Sequence, residues 1–237
     1  MNRVERGSVA VAGTGRLAER ELGATYLEAR PNPNRSFYQR VGKRFLDVVL
    51  VLLSLPVVLP LIGLFALALW MESGRPFYSQ KRVGQGGRIF NMLKLRTMVL
   101  DADQLLDKYL AADPALRKEW DETQKLKFDP RTTPIGRLLR ASSLDELPQL
   151  LNVLAGQMSL VGARPIMVSQ LEIYGKSEGY FALRPGLTGP WQVGGRNETS
   201  FFRRADIDKS YCWNVTLLGD LRILVKTVSV VLRSTGY

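Results

Sequence analysis

Asp145 and Glu146 stand side by side in the run Ser142-Ser143-Leu144-Asp145-Glu146-Leu147-Pro148-Gln149-Leu150-Leu151-Asn152. Adjacent carboxylates can act as a nucleophile, as a general base or as hard oxygen ligands for a divalent cation. The chain contains no histidine and 1 cysteine, Cys212. That composition removes a histidine base, a Cys/His nucleophile and a His/Cys zinc site. Chemistry in this chain falls to carboxylates, and this pair has basic residues before and after it. The pair also has a purely structural reading. Ser143 and Glu146 match a capping box, followed by an apolar stripe at Leu147, Leu150, Leu151 and Leu154 and a stop at Gly156. Pro148 sits too deep for a helix that starts at Leu144 and comfortably in the first turn of one that starts near Leu147. In either register the carboxylates lie at a helix N-terminus, where the dipole favours their ionised form.

The elements around the pair bring cations. Arg75 to Thr97 reads as a β-hairpin, with Phe77 and Tyr78 in its first strand, a turn at Gly84-Gln85-Gly86-Gly87 and a second strand from Arg88 to Arg96. Alternation puts Lys94 and Arg96 on one face, a phosphate-binding surface or a solvated edge, and Leu93 and Leu95 on the other. Thr133 caps a helix with Pro134 at its first position, and that helix carries Arg137 and Arg140 toward the pair. Two Gly/Pro-rich loops follow, Met158 to Pro165 with Arg164, and Arg184 to Arg196 with an arginine at each end. Such loops are phosphate clamps or ordinary turns.

Between Val48 and Met71 no residue is charged, and about 20 apolar residues suffice for a helix to cross a bilayer. Both flanks are basic, with Arg40, Lys43 and Arg44 before and Arg75, Lys81 and Arg82 after, so the positive-inside rule gives no orientation. Pro56 and Pro60 each remove a helix hydrogen bond. A segment bent there enters and leaves by one leaflet, with both basic flanks against anionic lipid. A kinked spanning helix meets the same composition.

The chain has 237 residues, of which 46% are hydrophobic, and carries a formal charge of +11. That charge suits an anionic partner: nucleic acid, anionic lipid or a phosphorylated substrate. No nucleic-acid-binding motif is present, and the bases are spread among loops, which disfavours the first. A non-catalytic membrane-anchored scaffold is the other rival to an enzyme. Residues 1–38 read as a flexible arm, 39–74 as the membrane helix-hairpin and 75–237 as a cytoplasmic catalytic domain. Within that domain Asp101 to Lys127 reads as a surface helix pair broken near Pro114, and Ser200 to Tyr211 as a helix. Val215 to Leu232 reads as an amphipathic helix at the membrane surface or a core helix. The fold class expected is α+β, mostly helical: a re-entrant membrane helix, interfacial helices and a catalytic domain with a small β-hairpin.

Together these segments resemble the bacterial sugar transferases, the small monotopic phosphoglycosyl transferases. The pattern runs from Lys43-Arg44-Phe45-Leu46-Asp47 through the proline-containing apolar run to Phe77-Tyr78-Ser79-Gln80-Lys81-Arg82-Val83-Gly84. It continues with Lys94-Leu95-Arg96-Thr97-Met98, Ser143 to Asn152, Met158 to Pro165 and Arg184 to Arg196. The chain looks closest to short members that prime exopolysaccharide with galactose phosphate. The resemblance implies transfer of a sugar-1-phosphate, galactose or glucose, from a UDP-sugar to undecaprenyl phosphate, releasing UMP. It implies Asp145 as nucleophile forming an aspartyl phosphosugar intermediate, and Glu146 as its partner, with both carboxylates associated with Mg2+. Lys94, Arg96, Arg140 and Arg164 match basic positions of the family's site, and Arg184 and Arg196 match its later motif. The resemblance also implies membrane lipids as partners and the bacterial inner membrane as location, with the catalytic domain facing the cytoplasm; it leaves a homo-oligomer open. Three positions depart from the pattern: Leu59-Pro60 replaces the usual Ser-Pro, Ala163 a proline, and Pro190 a leucine.

Overall fold

A helix that is apolar all round has no chemical reason to choose which side packs on protein, so its polar ends decide. In the computed structural model, which describes residues 36–123, 126–171, 178–194 and 201–232, this is how the apolar segment is held. A π-helical turn, Tyr38–Gly42, runs into helix α1, Lys43–Ser73, which contains Pro56 and Pro60 and stays helical through both. Gly74, with φ of 74°, ends it in the left-handed conformation that glycine adopts without penalty. The expected arm, Met1 to Arg35, lies outside the described residues.

Two of the three basic residues read as the flank before the apolar run, Lys43 and Arg44, lie in the first turn of α1 and bond to the rest of the chain, while Arg40 is exposed. Lys43 Nζ donates to Asp220 Oδ2 at 2.6 Å and to the Tyr211 hydroxyl at 3.0 Å. Tyr211 and Tyr38 donate in turn to Asp220 at 2.7 and 2.6 Å. Arg44 donates to the carbonyls of Val153 and Leu154. One turn on, Asp47 accepts from the Ser159 hydroxyl and the Leu160 N–H. The reason is that a buried charge needs a partner, and the soluble domain supplies one for each. At the other end Glu72 accepts from the Ile135 N–H. Between these ends Val51, Ile62 and Leu69 are buried on the domain, while Leu52, Leu53, Val57, Leu59, Leu64, Leu67, Trp70 and Met71 are exposed.

After α1 comes the expected hairpin. Strand β1, Phe77–Val83, pairs antiparallel with β2, Ile89–Leu95, in register from Phe77 opposite Leu95 to Val83 opposite Ile89. The uniform cationic face is not there. Arg96 lies beyond β2, and Lys94 shares its face with buried Phe90 and Met92. Next are α2, Ala102–Ala112, and α3, Pro114–Thr123, parted at Pro114, with Asp113 accepting from the Ala115 and Leu116 N–H groups. Helix α4, Pro134–Ala141, starts as expected from Thr133, whose hydroxyl accepts from the Gly136 N–H.

Helix α5, Gln149–Leu154, follows the acid pair. The two Gly-rich loops then prove to contain a second small sheet: β3, Ser159–Val161, runs parallel to β4, Gly186–Thr188, with α6, Glu178–Ala182, between them. Their chains pass so closely that a Cβ on Gly186 would collide with the Gly162 backbone nitrogen, which is why these positions read as loops and yet form strands. Short α7, Pro190–Gly194, leads to α8, Phe201–Trp213, and α9, Leu217–Leu232. Helix α9 buries Asp220 and exposes Leu217, Leu218, Leu221, Val225 and Val228, an apolar stripe at helical spacing. The described fold is thus mostly helical, with one small antiparallel hairpin and one long apolar helix.

The Lys43–Asp220 pair yields a stability prediction. Asp220→Ala leaves the Lys43 ammonium buried without its carboxylate, at a cost of about 3–5 kcal/mol. Thermal unfolding in detergent should show a large drop in midpoint, mostly restored by the double change Lys43→Met with Asp220→Leu. An unchanged midpoint for Asp220→Ala would contradict this role.

Candidate active site

The capping box expected at Ser143 does not form. Ser143 takes a left-handed conformation, φ 58°, and caps nothing with its side chain. Leu144–Glu146 is instead a single 3-10 turn, and Pro148 is the residue preceding α5. The cause is Pro148: it has no N–H for a helix begun at Leu144, so the chain makes two short pieces. The left-handed Ser143 ends α4 sharply and turns the two carboxylates together toward β2.

Lys94 meets them there. Its Nζ lies 2.8 Å from Glu146 Oε1 and 3.3 Å from Asp145 Oδ2. Arg164 Nη2 lies 3.3 Å from the same Glu146 oxygen. Four predicted residues from three separate elements, β2, the 3-10 turn and the segment after β3, thus converge. Asp145 is only 6% exposed. Burial pushes its carboxyl pKa above the usual range; Lys94 opposes this, the Glu146 charge adds to it, and Arg140 opposes it. Burial therefore prevails over the effect expected from a helix dipole.

The other predicted cations are placed differently. Arg140 donates to the Thr132 hydroxyl at 3.0 Å and acts on Asp145 through charge. Arg96 braces the hairpin, donating to the carbonyls of Arg75 and Phe77, with its guanidinium 5.4 Å from the Tyr78 ring centre. Arg184 donates to the Gly156 carbonyl at 2.8 Å, at the end of α5 away from the acid pair. Its position there reflects the close β3–β4 crossing rather than a reach toward Asp145. Arg196 lies outside the described residues.

Asn152 is a positioning residue that the motif contained and the sequence reading gave no role. Its Oδ1 accepts from the Leu93 N–H at 2.9 Å, and its Nδ2 donates to the Asn91 carbonyl at 2.8 Å. These bonds fasten α5 to the strand that carries Lys94. Period alone could not reveal this, because Asn152 sits amid leucines. Beside Glu146 and Arg164 a cavity of about 200 Å³ opens, walled by Met92, Pro165 and Leu187. Among the described residues no cluster of three or more His, Cys, Asp or Glu is found. Carboxylate donation to a metal here would come from Asp145 and Glu146.

The comparisons agree with the motif reading. The family described as bacterial sugar transferase matches residues 38–234, and the chain belongs to that family. This bears out the resemblance to the bacterial sugar transferases. It is 46% identical over 198 residues to the UDP-galactose-lipid carrier transferase of Erwinia amylovora, and 44% identical to the undecaprenyl-phosphate galactose phosphotransferase of Salmonella typhimurium. Each match covers 83% of this chain and 42% of the relative, so the chain spans about two fifths of these proteins. The exopolysaccharide production protein ExoY of Sinorhizobium fredii is 43% identical, with 83% of this chain and 88% of that protein covered.

The buried acid makes a stability prediction. A carboxyl whose folded pKa is raised holds its proton more tightly folded than unfolded, so stability falls as pH rises through that window. Asp145→Asn removes this loss. In metal-free buffer the variant and the wild type should have similar unfolding midpoints below about pH 4, and the variant should be progressively the more stable as pH rises. A wild type that gains on the variant with rising pH would show Lys94 to outweigh burial.

Proposed function

We propose that this protein transfers a sugar-1-phosphate from a UDP-sugar to undecaprenyl phosphate, releasing UMP, as a first membrane step of exopolysaccharide synthesis. The observation that carries the reading is the Asp145–Glu146 pair held against Lys94 and Arg164 in a chain of the bacterial sugar transferase family. Galactose, which appears in the names of two of the relatives, is the sugar proposed first, and glucose is the alternative.

Asp145 is the proposed nucleophile. Its carboxylate oxygen attacks the β-phosphorus of the UDP-sugar, the bond to the bridging oxygen breaks, and UMP leaves with that oxygen. An oxygen of undecaprenyl phosphate then attacks the same phosphorus, and Asp145 departs as carboxylate. Splitting the transfer in this way lets one small site serve a soluble and a lipid substrate in turn. Lys94 and Arg164 lie where charge develops on the phosphoryl oxygens, and Arg140 adds to the field. The Lys94 contact also offsets part of the burial that raises the Asp145 pKa.

Two adjacent carboxylates fit Mg2+, which takes one or two carboxylates and completes its shell with water and substrate phosphates. Asp145 and Glu146 would hold it, and when bound it neutralises charge on the diphosphate.

For the membrane, the support is the pairing of two exposed apolar stripes, on α1 and α9. Both ends of α1 are tied to the same domain, by Lys43 to Asp220 and by Glu72 to the Ile135 N–H. That favours re-entry at Pro56 and Pro60 over a span, with residues 75–237 facing the cytoplasm, where UDP-sugars are available.

UMP release from UDP-galactose and UDP-glucose with undecaprenyl phosphate tests the reaction. Asp145→Asn is expected to lower it at least about a thousandfold, and hydroxylamine should free sugar phosphate from quenched wild type. Undiminished UMP release by the variant would end the covalent reading. For topology, Ser36→Cys and Arg75→Cys in a Cys212→Ala background should both label from the cytoplasmic side; labelling from opposite sides would show a span.

A further inference from the structure

The cavity beside Glu146 has two donors that the transferase reading does not use. Gln149, the first residue of α5, is 2% exposed, and its Nε2 has no hydrogen-bond partner. Arg82, near the end of β1, uses Nη1 on the Pro165 carbonyl and Nη2 on Gln80 Oε1, but its buried Nε has no partner. Both side chains line the cavity, together with Arg164 and Glu146. Leaving a buried donor unsatisfied costs about 1–3 kcal/mol, so two on residues that line one space call for an acceptor there.

The chemistry narrows the acceptor. A sugar hydroxyl or an amide carbonyl could satisfy Gln149 but would leave the Arg82 charge uncompensated. A phosphoryl group offers several oxygens and negative charge, matching a guanidinium N–H and a carboxamide N–H at once. Burial, and then the like charges of Arg164 and Arg204, push the Arg82 pKa down to about 10, with Glu146 opposing. An anion placed here would relieve that repulsion.

We propose that Arg82 and Gln149 form a phosphoryl-binding subsite next to Glu146 and Arg164, with Arg82 supplying charge and Gln149 a neutral donor. Which phosphate occupies it, the diphosphate of the nucleotide sugar or the phosphate of the polyprenyl lipid, rests on the transferase reading; the presence of an anion site does not. Gln149 immediately follows Pro148, and its side chain is fixed by the start of α5. Its place in the motif is thus explained by binding and not by packing alone.

The test uses the full chain in detergent, with inorganic pyrophosphate as probe and thermal unfolding as readout. Wild type should be stabilised by pyrophosphate. Gln149→Leu and Arg82→Lys should each weaken that binding by about tenfold or more, the loss of one hydrogen bond to a charged group. Arg82→Lys keeps the charge and removes the Nε donor, so it carries the test even where Gln149→Leu misfolds. Turnover then identifies the source. A KM raised about tenfold for UDP-galactose alone assigns the donor diphosphate, and one raised for undecaprenyl phosphate alone assigns the acceptor. Unchanged pyrophosphate affinity with both KM values within about twofold of wild type would overturn the subsite. A wild type that binds pyrophosphate through these residues and releases no UMP from any nucleotide sugar would keep the anion site and remove the transferase reading.

Discussion

The contact on which the site depends is that of Lys94 with two carboxylates. Asp145 is almost fully buried, and a buried carboxylate with no cation nearby gives up its charge. Lys94 is 51 residues away in sequence from Asp145, so the fold must bring them together before the pair has any useful ionisation state. The hairpin holds Lys94 on a strand, the left-handed turn at Ser143 aims the carboxylates, and Asn152 bonds α5 to the strand backbone. Each of these three devices limits one freedom of the same contact. Arg164 then fixes Glu146 from the segment after β3, leaving Asp145 with the weaker share of Lys94. That asymmetry supports the proposed division, with Asp145 as nucleophile and Glu146 as its partner.

A second constraint is that α1 is apolar along its exposed side and charged at its ends. Its exposed side is apolar along the length from Leu52 to Met71, which in water would be a large unfavourable surface. Its charged residues lie at its ends, and the rest of the chain takes up each of them: Lys43 with Asp220, Arg44 with two carbonyls, Asp47 with Ser159 and Leu160, Glu72 with the Ile135 N–H. Hydrogen bonds and ion pairs therefore set the orientation that a uniformly apolar sequence could not.

This division explains what the sequence made legible. Elements whose signals are local were readable: the hairpin from its glycine turn, α4 from Thr133-Pro134, the break at Pro114, the end of α5 at Gly156. Ordered motifs made the family readable, and they named the residues that meet at the site. What was not readable depends on contacts between distant segments. The β3–β4 pair has three residues a side and looks like loop, because glycine is demanded there by backbone crossing and not by a turn. Lys43 and Arg44 looked like a lipid-facing flank because nothing local announces Asp220 or the end of α5 as their partner. The capping box failed for a local reason that the motif did include, since Pro148 divides the expected helix.

The alternation of β2 links α1 to the acid pair. Residues 92 and 94 point one way and residues 93 and 95 the other. Leu95 is buried with Ile62 and Leu69 of α1 and Leu139 of α4. Met92, on the opposite face, packs in the cluster that contains Val51 of α1 and Val153 of α5. The strand thus shares a buried cluster with α1 on each of its faces, and close-packed contacts of this kind transmit displacement rather than absorb it. One residue of the strand, Leu95, packs with the apolar helix, and its neighbour, Lys94, meets the two carboxylates, so a shift of α1 would be passed to the acid pair through a single peptide unit.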